Sequence, residues 1–186
     1  QVFELKDNDG ARSIDRIESI LNRDKKVATY KLALFRALAE LAQTNYNLAV
    51  WRMDGKVLIP IQAIAEKWLG YYWPVVEHTG SHIPQTTGKQ IAFRALLEKL
   101  ISQYKGKKGG LAKFSIEYRA KSLPDNVKKV HSKLMGKLKN TIWNQPVRYA
   151  GGGEEFSVFG YDKKSKKIII NADMWRELSL TGSWIR

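Results

Sequence analysis

The 186-residue chain reads as an α+β protein, mainly helical, with about six helices and two β-hairpins near residues 49–59 and 156–171. Three observations lead there. Apolar residues recur at helical spacing in six separate stretches. Two β-prone runs fold back on themselves around polar, turn-forming residues. The composition, 44% hydrophobic and 11% aromatic, is that of a globular chain with a real core. The length suits a single domain over 1–186; a change in charge near residue 105 leaves two lobes, 1–104 and 105–186, as an alternative.

Ser13 can cap a short first helix whose Ile14, Ile17, Ile20 and Leu21 share a stripe. Thr29 precedes YKLALFRALAELA. There Leu32, Leu34, Phe35, Leu38, Leu41 and Ala42 leave only Lys31, Arg36 and Glu40 polar, which predicts a buried core helix. In AVWRMDGKVLIP, Asp54-Gly55 suits a tight two-residue hairpin turn. Pro60 closes that hairpin and opens IQAIAEKWLGYYW, with Ile61, Ile64, Ala65, Trp68, Leu69 and Tyr72 in phase and Pro74 as its stop. HTGSHIPQTTGKQ is a loop, and helix resumes at IAFRALLEKLISQY with Ile91, Leu96, Leu97, Leu100 and Ile101 inward.

KGKKGG reads as a second loop, and LAKFSIEYRAKSL carries no decisive pattern. Pro124-Asp125 starts a helix with Val127, Val130, Leu134, Leu138 and Ile142 inward and Lys128, Lys129, Lys133, Lys137 and Lys139 toward water. AGGGEE is a hinge, FSVFGY and KIIINA flank DKKSKK as the second hairpin, and NADMWRELSL is the last helix.

Charge is concentrated in one place. The chain carries a net +14, and the span from Lys105 to Arg148 holds twelve Lys/Arg against Glu117 and Asp125. Such a field attracts polyanions, nucleic acid above all. Lys105, Lys107, Lys108, Lys113, Arg119, Lys128, Lys129, Lys133 and Lys137 are the expected phosphate contacts, which position a protein without reading sequence. Base edges call for bidentate or planar groups, supplied by His82, Gln85, Lys89, Gln90 and Arg94. Tyr71, Tyr72 and Trp73 either stack on a base or fill the core, and for Trp73 the core is the favoured reading.

Catalytic chemistry is poorly encoded. His78 and His82 are four apart but sit in a glycine-containing loop, and with no cysteine they make no zinc set. His131, among lysines, reads as a surface residue. Phosphate-cradling and nucleophile-elbow motifs are missing, and Gly151-Gly152-Gly153 precedes two repelling acids. Glu154 or Glu155 with Asp162 and Lys164 is similar to the D/E-x-K set of magnesium-dependent nucleases, although Asp162 falls in a turn. The chain itself is expected to hold no metal or other cofactor. The missing cysteines and the lack of an apolar leader or a run of eighteen apolar residues fit a reducing, cytoplasmic setting with no membrane partner. Gln1 at one end and the apolar Trp184-Ile185 at the other suggest a piece of a longer polypeptide.

TYKLALFRALAELA, the hairpin ending KVLIP, IAEKWLGYYWPVV, HIPQ, IAFRALLEKL and FGYDKKSKKIIINADMWRELSLTGSWI together resemble the N-terminal region of bacterial HNH endonuclease-domain proteins, from about Thr29 onward. The resemblance implies a DNA-recognition module of a restriction or defence nuclease, partnered by double-stranded DNA. It further implies an HNH domain beyond residue 186 that takes the divalent metal. No catalytic residue carries over, and a homodimer stays open. A fainter similarity, to sulfur-binding domains of modification-dependent HNH nucleases, implies modified DNA as a ligand. The expected function is therefore a DNA-binding specificity domain. Its alternatives are a self-contained magnesium-dependent nuclease and a protein-interaction or oligomerisation module.

Overall fold

The computed structural model describes residues 28–79, 91–106, 109–149 and 158–181. Along them run α1 (Ala28–Thr44), β1 (Val50–Trp51), β2 (Lys56–Pro60), α2 (Ile61–Thr79), α3 (Arg94–Ser102), α4 (Gly110–Arg119), α5 (Asp125–Ile142), β3 (Gly160–Asp162), β4 (Lys167–Asn171) and α6 (Ala172–Thr181). The fold is α+β and mainly helical, as expected. The expected helix at 13–21 lies outside the described residues, whereas the segment without a decisive pattern forms α4.

Helix α1 buries Tyr30, Leu34, Phe35, Leu38 and Leu41 and packs against α2 and α6. Its phase differs from expectation at two neighbours. Lys31 is 5% exposed and Leu32 is 48% exposed. Lys31 shares a face with Phe35, Leu38 and Ala42, so the rotation that seats those three takes the aliphatic lysine stem inward and turns Leu32 out beside Arg36.

Pro74 does not stop α2, which continues to Thr79. The proline ring is exposed, and Val76 is buried one turn after Tyr72 and Trp73. Packing of that last turn outweighs the single helical hydrogen bond that proline cannot donate.

The two hairpins form one antiparallel sheet in the order β1-β2-β4-β3. Strand β2 pairs with β4 along its whole length, from Lys56↔Asn171 to Pro60↔Lys167. Val57, Ile59, Ile168, Ile169 and Ile170 are buried. The first turn has three residues, Met53–Gly55, rather than the expected two, since Arg52 N donates to Lys56 O at 2.9 Å. Only Gly55 takes a positive φ, +74°. Asp54 stays in ordinary backbone, where its Oδ1 accepts from Lys56 N at 3.3 Å and its Oδ2 meets Arg52 at 2.7 Å.

The hairpins are near-equivalent about the β2–β4 pairing. In each, a left-handed residue ends the turn: Gly55 before β2, and Lys166 (φ +55°) before β4. Each of these offers its carbonyl to the helix that follows the other hairpin. Lys166 O accepts from Ile61 N at 3.2 Å, and Gly55 O from Ala172 N at 2.9 Å. Helices α2 and α6 each start directly from a strand, so their first N–H groups lack intrahelical partners, and each turn satisfies one.

One core cluster runs from Tyr30 to Leu178, drawing on both sides of residue 104. Its largest fully buried side chains include Trp68, Trp73 and Trp175. Trp73, Tyr104, Phe114, Tyr118 and His131 form a second run of ring contacts that ties α4 and α5 to α2.

Candidate nucleic-acid interface

Pro124, extended at ψ 150°, leads into α5, and Asp125 places a carboxylate in the first turn, where the helix dipole favours it. The expected stripe of Val127, Val130, Leu134, Leu138 and Ile142 is buried, joined by Met135, Thr141 and His131. With that face fixed inward, Lys128, Lys129, Lys133 and Lys137 are exposed and Lys139 is half-buried.

Lys129, Lys133 and Lys137 fall four residues apart, so about 6 Å separates successive members of the row. Among the described residues no carboxylate pairs with these three. Lys128 lies 3.3 Å from Asp125, and Lys113 on α4 lies 3.9 Å from Glu117; both pairs are too exposed to hold their lysines firmly. Lys105 follows α3, Arg119 ends α4, and both are exposed. Lys107 and Lys108 lie outside the described residues, as do His82, Gln85, Lys89 and Gln90.

Arg94 stands apart from the lysines. It is 8% exposed, and its Nε donates to Glu98 Oε1 at 2.7 Å. Tyr72 and Trp73 are buried core residues. Tyr71 is half-buried, donates to Glu40 Oε2 at 2.7 Å and carries the Arg36 guanidinium over its ring.

His131 is not the surface residue the flanking lysines suggest. It is 9% exposed, with its ring centroid 4.9 Å from Tyr118 and 5.4 Å from Phe114. Burial pushes its pKa below the usual 6.5, and Glu66 pulls the other way. Glu66 itself accepts from the Tyr118 hydroxyl at 2.7 Å, while burial and that bond push the hydroxyl up to about 12. His131 thus acts as a packing residue that anchors α4 under the lysine-bearing helix.

The β3–β4 turn adds cations that a charge sum over the C-terminal region hides. Lys163, Lys164 and Lys166 are exposed there. Trp143, directly after α5, stacks on Tyr161 with centroids 4.5 Å apart, and Lys163 Nζ lies 6.0 Å from the Trp143 ring. The sequence signal is the dense KKSKK run itself, which the sequence presents as a turn and as part of the D/E-x-K pattern rather than as a phosphate contact.

That turn also bears on metal chemistry. Asp162 Oδ2 accepts from Ser165 Oγ at 2.6 Å and Oδ1 from Lys164 N at 3.0 Å. The Ser165 bond, then the turn's backbone donors, hold its carboxyl below the usual range. Both oxygens therefore serve the turn. Glu154 and Glu155 lie outside the described residues, and among the described residues no three His, Asp or Glu side chains gather as a metal set.

Sequence comparison adds one match: a family model described as a domain of unknown function, DUF8808, fits residues 10–186. The chain belongs to that family. Since the DUF8808 match runs across both hairpins and the lysine helix, sheet and basic face belong to one family unit. No curated protein and no solved structure matches significantly. Among the described residues, no helix is long and apolar enough to cross a membrane.

Proposed function

We propose that the chain is a DNA-binding specificity domain that delivers an HNH-type endonuclease to duplex DNA in a cytoplasmic restriction or defence system, with modified DNA among its ligands. The observation that carries the DNA-binding reading is the row Lys129, Lys133 and Lys137: three exposed lysines without carboxylate partners among the described residues, on a helix whose opposite face is buried. Lysine presents a compact charge on a long stem, suited to phosphate and indifferent to sequence. Delivery of a nuclease rests on the resemblance to HNH proteins alone.

The test is fluorescence anisotropy on a duplex, with single-stranded RNA and anionic vesicles as competing polyanions. Binding to duplex should weaken linearly in log–log form with salt, by about 0.9 per phosphate neutralised. Lys129→Ala with Lys133→Ala should flatten that slope by about two and affect every duplex sequence alike. An unchanged slope removes DNA binding by this face, and preferential capture of RNA or vesicles reassigns its partner.

One observation favours a second reading, that of a protein-interaction module. Val50, Trp51 and Met53 are exposed on the first hairpin, where β1 is the sheet's edge. Arg176 lies over the Trp51 ring at 4.9 Å. Concentration-dependent self-association in sedimentation, abolished by Met53→Asp, would support it.

A further inference from the structure

We infer that the β3–β4 turn is a second phosphate-binding point on the same DNA track, set one helix length from the start of the α5 lysines. The inference rests on the DNA-binding reading above and extends it to residues outside the Lys105–Arg148 span.

Placement carries the argument. Lys139 and Trp143 are four residues apart, on one side of the helix as it ends. Trp143 continues directly from Ile142, stacks on Tyr161 of β3 and has Lys163 beside its ring. The second hairpin is therefore fastened to the C-terminal end of the lysine helix by an aromatic pair, which sets where its turn lies. Asn140 and Asn144, bonded to each other at 2.6 Å, bridge the interval with polar groups and no acid. Asp162 is the turn's one carboxylate, and both its oxygens face turn donors rather than the lysines' charged ends. Lys163 and Lys164 have no carboxylate partner among the described residues.

The spacing sets the ligand. Lys128 and Trp143 lie fifteen residues apart, about 22 Å along the helix, and Lys163 Nζ lies 6.0 Å from the Trp143 ring at that end. At about 3.4 Å per base-pair step, reaching both ends takes a duplex of about 8 base pairs. A stem of 5 base pairs spans about 14 Å, so one seated on the turn stops short of Lys133, ten residues or about 15 Å back from Trp143, and of Lys129 beyond it.

The experiment compares the full chain with Lys163→Ala/Lys164→Ala and with Lys129→Ala/Lys133→Ala, on DNA hairpins with stems of 5 and 16 base pairs. Circular dichroism checks that the exposed substitutions leave the fold intact. On the long stem, each double variant should flatten the salt slope by about two, and the quadruple variant by about four. On the short stem, wild-type affinity should drop and the quadruple variant should lose no more slope than the better of the two doubles. A turn variant with the wild-type slope on the long stem, beside an impaired helix variant, overturns the inference and leaves the DNA-binding reading standing. Additive losses on the 5-base-pair stem also overturn it, since helix and turn would then share the same phosphates. Wild-type behaviour of all variants overturns both.

Discussion

Lys121 and Lys166 are the two residues of the described chain, glycine aside, with positive φ, each at 55°. Lys121 ends α4 in a double hydrogen-bonded stop: Ser122 N donates to Glu117 O at 2.9 Å and its own N to Tyr118 O at 3.1 Å. Glycine is the usual residue there, because a Cβ costs about 1–2 kcal/mol in the left-handed region. Lys166 stands where the other hairpin has Gly55. Lys121→Gly and Lys166→Gly should each stabilise the fold by about 0.5–1 kcal/mol, seen as a raised melting temperature with an unchanged denaturant slope. His131 makes the opposite kind of statement. With its folded pKa depressed by burial, the unfolded chain binds the extra proton below about pH 6.5, so stability is complete above that pH and falls as pH drops. Melting temperatures of His131→Leu should fall less between pH 7 and pH 5 than those of wild type. Its burial was visible in the sequence: His131 lies four residues after Val127 and three before Leu134, in phase with the stripe. Flanking lysines concealed it.

At the scale of elements, the hydrophobic period carried most of the reading. The α5 stripe, the core helix and both hairpins follow from spacing that physics ties to a single face. Leu38→Asp on α1 should unfold the protein, since a carboxylate buried without a partner costs several kcal/mol, and loss of native circular dichroism would report it. Helix α4 escaped because its pattern is broken. Phe114 is buried while Ile116 is 68% exposed, so no clean stripe exists. Phe114 nevertheless touches Trp73, Tyr104, Tyr118 and His131. Phe114→Ala should therefore cost about 3–5 kcal/mol in urea unfolding, far more than any exposed position of α4. Pro74 shows the converse limit, in that a local stop signal yields when the next turn has a core to join.

Across the whole molecule, a single sheet built from both hairpins was the feature least legible in the sequence. Alternation predicts that a strand has a partner but not which strand it is, and Lys56–Pro60 finds Lys167–Asn171 across more than a hundred residues. The candidate site divides the same way. Its lysine helix was readable from one segment, while its continuation onto Lys163 and Lys164 depends on the stacking of Trp143 with Tyr161. Incubated with plasmid and Mg²⁺ or Mn²⁺, the isolated chain should leave the DNA intact, because Asp162 is engaged by its own turn. Metal-dependent nicking that Asp162→Ala abolishes would transfer the chain to the nuclease reading.

The reciprocal bonds from Lys166 O to Ile61 N and from Gly55 O to Ala172 N have a kinetic meaning as well. Neither helix start is completed by its own hairpin, so neither hairpin–helix unit is finished until the two meet. Closing a loop of that length is entropically slow, whereas α3, α4 and α5 join α2 by closing shorter loops. The zipper of β2 on β4 is accordingly a late event on the folding route, and substitutions along it, such as Ile59→Val or Ile170→Val, should speed unfolding while leaving the refolding rate almost untouched. A nascent chain holds its lysine helix before it holds its sheet.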